Sequence, residues 1–100
     1  MHKLIVTYNK PDDVEAFMDH YTNVHIPLVQ KIPGLIGTEI NRITGNPMGG
    51  EPDLFMIVEM SFADEESFKT AMRSPENMET GKDAMGFAKG LFSVMTAVSE

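Results

Sequence analysis

One hundred residues with eight Lys and Arg against fifteen Asp and Glu carry a formal charge of −7. That balance opposes binding to nucleic acid, whose affinity comes mostly from cationic side chains, and the absence of cysteine excludes disulfides, thiolate zinc sites, iron–sulfur clusters and a cysteine nucleophile. The length and the 42% hydrophobic content fit one domain spanning residues 1–100 with a modest core; no apolar run is long enough for a membrane span or a signal-peptide core, so no membrane partner and a cytoplasmic location are expected.

Residues 3–9 alternate as a strand, with Leu4, Val6 and Tyr8 on one face and Ile5 and Thr7 on the other. Asn9-Lys10-Pro11-Asp12-Asp13 reads as a turn, and Asp12 or Asp13 can cap the helix that follows. That helix is expected over 14–31, where Phe17, Tyr21, Val24 and Leu28 recur at helical spacing. Tyr21 and His25 share a face one turn apart. Pro27 lacks an N–H and disfavours helical geometry before it, which predicts a break near His25 and a free carbonyl around Asn23. In regular α geometry His20 lies about 140° round from His25. The two histidines therefore should not converge on one metal, and His20 is expected to face outward. A titratable ring beside a broken helix makes His25 a candidate acid/base group.

Pro33-Gly34 closes the helix, and residues 35–43 form a second strand in which Gly37 can mark a bulge. Residues 44–53 form a polar hairpin loop whose glycines are spaced wrongly for a phosphate cradle. Residues 54–62 are the clearest strand. Leu54, Met56, Val58, Met60 and Phe62 share one face; Phe55 and Ile57 lie on the other, which ends in Glu59 and Ser61. Asp64 caps a helix with Glu65 and Glu66 in its first turn and a buried stripe of Phe68, Ala71 and Met72. Ser74-Pro75-Glu76 starts another helix, weakened by Gly81 and Gly86. Residues 91–98 close the chain as a strand apolar on both parities.

The order β-α-β-β-α-(α)-β specifies an α+β domain, the ferredoxin-like βαββαβ with a four-stranded antiparallel sheet and helices on one face. A second copy related by two-fold symmetry is the simplest cover for the other face, so a homodimer is expected. Nine methionines suit either a plastic core or an irregular apolar pocket.

A strand ending in Tyr8-Asn9-Lys10-Pro11, then Tyr21-x-x-x-His25-x-Pro27 and Ile32-Pro33-Gly34-Leu35, strongly resembles the EthD family. Phe62 before the Asp64 cap, Ser74-Pro75-Glu76 and Asp83-x-x-x-Phe87 extend the resemblance over nearly the whole chain. It implies a dimeric α+β barrel, two protomers joined sheet to sheet. Relatives of that barrel include polyketide cyclases, cofactor-free monooxygenases and muconolactone isomerase, with substrate held between sheet and helices. By this resemblance the chain binds a small hydrophobic, aromatic, phenolic or enolic metabolite in a catabolic pathway, with no cofactor or metal. His25 is the catalytic candidate, and Tyr21, Tyr8 and Phe87 are ligand-binding candidates. Asp83 either orients a ring nitrogen or steadies a weak helix, the second being favoured. The alternative function is an accessory dimer that binds without turnover.

Overall fold

The computed structural model describes residues 1–100. Strands β1 (His2–Tyr8), β2 (Gly37–Arg42), β3 (Met56–Phe62) and β4 (Phe92–Val98) form one antiparallel sheet in the order β2-β3-β1-β4. Helices α1 (Val14–His20), α2 (Ile26–Val29), α3 (Glu65–Met72) and α4 (Pro75–Phe87) supply the helical layer, and a π turn at Tyr21–His25 joins the first two. This is the ferredoxin-like arrangement.

Local chemistry places the helix starts where the sequence marks them. Asp13, Asp64 and Ser74 each accept a hydrogen bond from the backbone N–H three residues on, at Ala16, Ser67 and Asn77. Each bond satisfies a donor that the first helical turn leaves free.

The alternation of β3 decides where the core lies. Met56, Val58, Met60 and Phe62 are all buried against the helices, together with Val6 and Tyr8 of β1. Phe17, Tyr21, Val29, Ile32, Phe68 and Ala71 close the core from above. In register, Val58, Val6 and Val94 form one row and Met56, Tyr8 and Phe92 the next. Helix α3 packs over β1 and β3, the two central strands. Edge strand β4 is left poorly covered, and Val94 and Val98 on its helix side are 56% and 63% exposed.

Three expectations need correction. Phe55 does not share the open face with Ile57. It precedes the first residue of β3 and so escapes the strand's alternation; its ring meets the edge of Phe17 and lies under the Arg42 guanidinium. Gly37 pairs with Ser61 in unbroken register, so there is no bulge at this position. The open face is also more mixed than a fully apolar reading of both parities suggests. Its rows are Ile57-Thr7-Ser93, Glu59-Ile5-Met95 and Ser61-Lys3-Ala97, with Lys3 and Glu59 paired at 2.9 Å.

Phe62 is wholly buried whereas Val98 on the same sheet side is not. Phe62→Ala should therefore cost about 3–5 kcal/mol in urea unfolding, while Val98→Ala should stay within about 0.5 kcal/mol. Equal losses for the two would contradict this placement of the core.

Candidate functional site

The helix carrying the histidines does not kink at Pro27; it widens before it. The Ile26 N–H reaches back to the Tyr21 carbonyl, an i→i−5 bond, and the backbone stays right-handed helical throughout. Proline cannot donate to the carbonyl four residues back, and the missing bond is absorbed as one π turn. Bonds of this span place residues five apart on one side of the helix. His20 and His25 are such a pair, so both face α4.

There they meet Asp83. His25 Nδ1 lies 2.9 Å from Asp83 Oδ2, and His20 Nε2 lies 2.9 and 3.1 Å from Oδ1 and Oδ2. An ionised carboxylate only accepts, so both ring nitrogens carry the hydrogen in these contacts. The neutral His25 ring consequently bears its lone pair on Nε2. No wholly buried polar side-chain atom lacks a partner, and Nε2 makes no hydrogen bond within the protein, so it is not wholly buried.

His25 forms part of the wall of a cavity of about 250 Å³ between sheet and helices. Leu4, Val6, Met60, Phe92 and Val94 line it from the sheet, and Met72, Asn77, Thr80, Gly81 and Ala84 from the helices. Tyr8 completes the wall, and no charged side chain lines it. The Thr80 hydroxyl is spent on the Glu76 carbonyl, and the Asn77 amide N–H on the Met72 carbonyl.

Burial sets the electrostatics. It lowers the His25 pKa below the usual 6.5, and Asp83 opposes that only in part. Burial pushes Asp83 upward, but hydrogen bonds from His20 and then His25 outweigh it, and the carboxyl sits below its ordinary range. The Tyr8 phenol is pushed up to about 12, by burial first and by the Asp83 charge second. Burial raises Tyr21 further still, with Tyr8 adding to it. Both phenols stay protonated near neutrality and can act as donors.

The sequence candidates are thus only partly brought together. His25 and Tyr8 line the cavity. Tyr21 is 1% exposed and stacks on His25 with ring centroids 5.4 Å apart, acting as a backing plate instead of a wall. Phe87 packs on His20 at 4.5 Å and on His25 at 5.0 Å, also outside the cavity. His20, expected to point outward, is a partner of Asp83. Asp83 binds both rings and does more than steady a weak helix. The i, i+5 spacing of the histidines ahead of a proline was the signal for this arrangement, but regular α geometry hides it.

Residues 10–90 match the family model described as the EthD domain. A solved ethyl tert-butyl ether D family protein from Bacillus halodurans shares 45% identity and a TM-score of 0.95, covering 100% of this chain and 99% of that one. An uncharacterized 11.0 kDa protein from the thcB-thcC intergenic region of Rhodococcus erythropolis is 31% identical over 93 residues, 90% of this chain and 86% of that protein. SnoaB, a cofactor-independent oxygenase from Streptomyces nogalater solved as its N63A mutant, shares the fold with a TM-score of 0.71, at 9% identity over 99% and 92% of the two chains.

Because the folded pKa of His25 lies below its unfolded value, the unfolded chain takes up the proton first. Stability from this group is present above 6.5 and is lost as pH falls through 6.5 toward the folded value. Its imidazole C–H resonances should titrate below 6.5, and Asp83→Asn should lower that midpoint further by removing the opposing influence. A midpoint raised by Asp83→Asn would contradict the assignment.

Proposed function

The chain belongs to the EthD family, and from that premise we propose that it binds a small hydrophobic molecule bearing a phenolic or enolic hydroxyl and takes that group's proton on His25. The observation that carries this reading is the 2.9 Å contact between His25 Nδ1 and Asp83, which leaves Nε2 unpartnered in a ring lining an uncharged cavity. A base needs a lone pair within hydrogen-bond reach of the proton it abstracts, and a pKa lowered by burial keeps the His25 ring neutral, with that lone pair available, near neutral pH. Asp83 fixes the tautomer that supplies the lone pair and stabilises the imidazolium formed. The protonated Tyr8 hydroxyl donates to the oxygen on which charge develops. Apolar walls strengthen both interactions by excluding water.

A phenolate or enolate made in this way is the common starting point of oxygenase-, cyclase- and isomerase-type steps, and removal of such metabolites in a catabolic pathway is the role we assign. The fold shared with SnoaB, a cofactor-independent oxygenase, is compatible with that chemistry. The test is binding of para-ethylphenol by calorimetry. His25→Ala should weaken it roughly tenfold, the scale of a lost hydrogen bond to a charged or polar partner. A lowered thermal midpoint with unchanged phenol affinity would make His25 a core residue and end the acid/base assignment.

We also assign the open sheet face to a homodimer. Ile5, Ile57 and Met95 form its apolar centre, ringed by Lys3, Glu59, Ser61 and Ser93, a pattern of apolar core and polar rim suited to an isologous contact. The wild-type protein should sediment as a dimer at micromolar concentration, and Ile57→Lys should shift it to monomer. A well-behaved wild-type monomer would overturn the interface.

A further inference from the structure

At α4 the cavity borders a second concavity. Gly81 lines both the cavity and a groove along the outer side of that helix, and Met72 and Asn77 are shared in the same way. Glycine in mid-helix weakens it relative to alanine. Here nothing in the packing requires glycine, since a Cβ at position 81 would meet no atom within 4 Å. Position 81 therefore puts no side chain between the lining of the cavity and that of the groove.

The groove has a definite chemistry. Met72, Met78 and Met85 give it an apolar floor, and Met78 and Met85 are 67% and 55% exposed. Arg73 and Lys82 flank it, and neither is held in an ion pair. Ala84, on the cavity wall next to Asp83 in the chain, lies three residues beyond Gly81, about 4.5 Å along the helix axis. One aromatic ring bridges that distance. His25 and Gly81 line the same cavity, so a ring with its hydroxyl at His25 can turn its opposite side toward Gly81.

We propose that the ligand is amphipathic: a phenolic or enolic head in the cavity, joined to a flexible aliphatic chain that crosses Gly81 into the groove and ends in an anion between Arg73 and Lys82. This rests on the phenol or enol reading of the cavity and extends it to the substrate's other end. Unbranched methionines adapt to such a chain better than rigid aliphatic side chains do. The two free cations favour a carboxylate terminus on a protein that is otherwise acidic.

Three probes separate the parts: para-ethylphenol for the head, para-hexylphenol for head and chain, and omega-(para-hydroxyphenyl)hexanoate for the whole. Calorimetry on the full chain should find the hexyl compound binding about tenfold tighter than the ethyl one, as half-buried methylenes give. The hexanoate should gain a further two- to fivefold, roughly, at low salt, the range of an exposed ion pair. Gly81→Leu should bring the hexyl-to-ethyl affinity ratio down to about one, with retained helical circular dichroism as the check on folding. Arg73→Gln with Lys82→Gln should bring the hexanoate-to-hexyl ratio down to about one. Ethyl and hexyl compounds binding alike, or a chain gain that survives Gly81→Leu, would overturn the groove. A missing carboxylate gain, or one that survives the double variant, would overturn the anionic end. If none of the three binds, the phenol reading falls, and this inference falls with it.

Discussion

The Asp83 carboxylate, shared between two imidazoles, is the contact on which the site depends. It joins α4 to the π turn, fixes His25 with its lone pair away from the carboxylate, and holds His20 against Phe87. One partly buried acceptor thereby ties together helices that lie far apart in the sequence. Desolvation alone would raise its pKa, but hydrogen bonds from the two rings outweigh that and hold the carboxyl below its ordinary range. Such an arrangement is costly to half-satisfy. Loss of either ring leaves the carboxylate short of a donor in a partly buried place.

Around that contact the aromatic side chains act as a stiff frame. Tyr21 stacks on His25 and also meets Tyr8 edge-on, while Phe17 touches Tyr8, Tyr21, Phe55 and Phe87. Aromatic pairs at these separations stabilise beyond their buried area and resist rotation. The result is a histidine whose plane is set on several sides, in the wall of a cavity lined by no charged side chain. Helix α4 contributes to this through its packing more than through helical propensity, since Gly81 and Gly86 weaken it locally.

Much of the fold was legible because the strongest signals in the chain are local. The alternation Met56, Val58, Met60, Phe62 and the caps Asp64 and Ser74 correspond to structure within a residue or two. Phe55 was misplaced because alternation was carried one residue beyond the strand, where it has no force. The site was harder. His25 and Tyr8 could be singled out, but Asp83 lies 58 residues from His25, and only tertiary packing unites them. His20 was lost to an assumption of uniform α geometry. A proline four residues after an asparagine said that a hydrogen bond would be missing, not that the helix would answer by widening.

The central claim is that His25 holds its lone pair on Nε2 and takes a proton there. Nitrogen NMR of the protein labelled with 15N-histidine, titrated with para-nitrophenol, tests it most directly. Free His25 should show a protonated Nδ1 and an unprotonated Nε2, and ligand should move Nε2 to the protonated class while the phenolate absorbance rises. A free protein with the proton on Nε2, or a saturating ligand that leaves Nε2 unchanged, would contradict it.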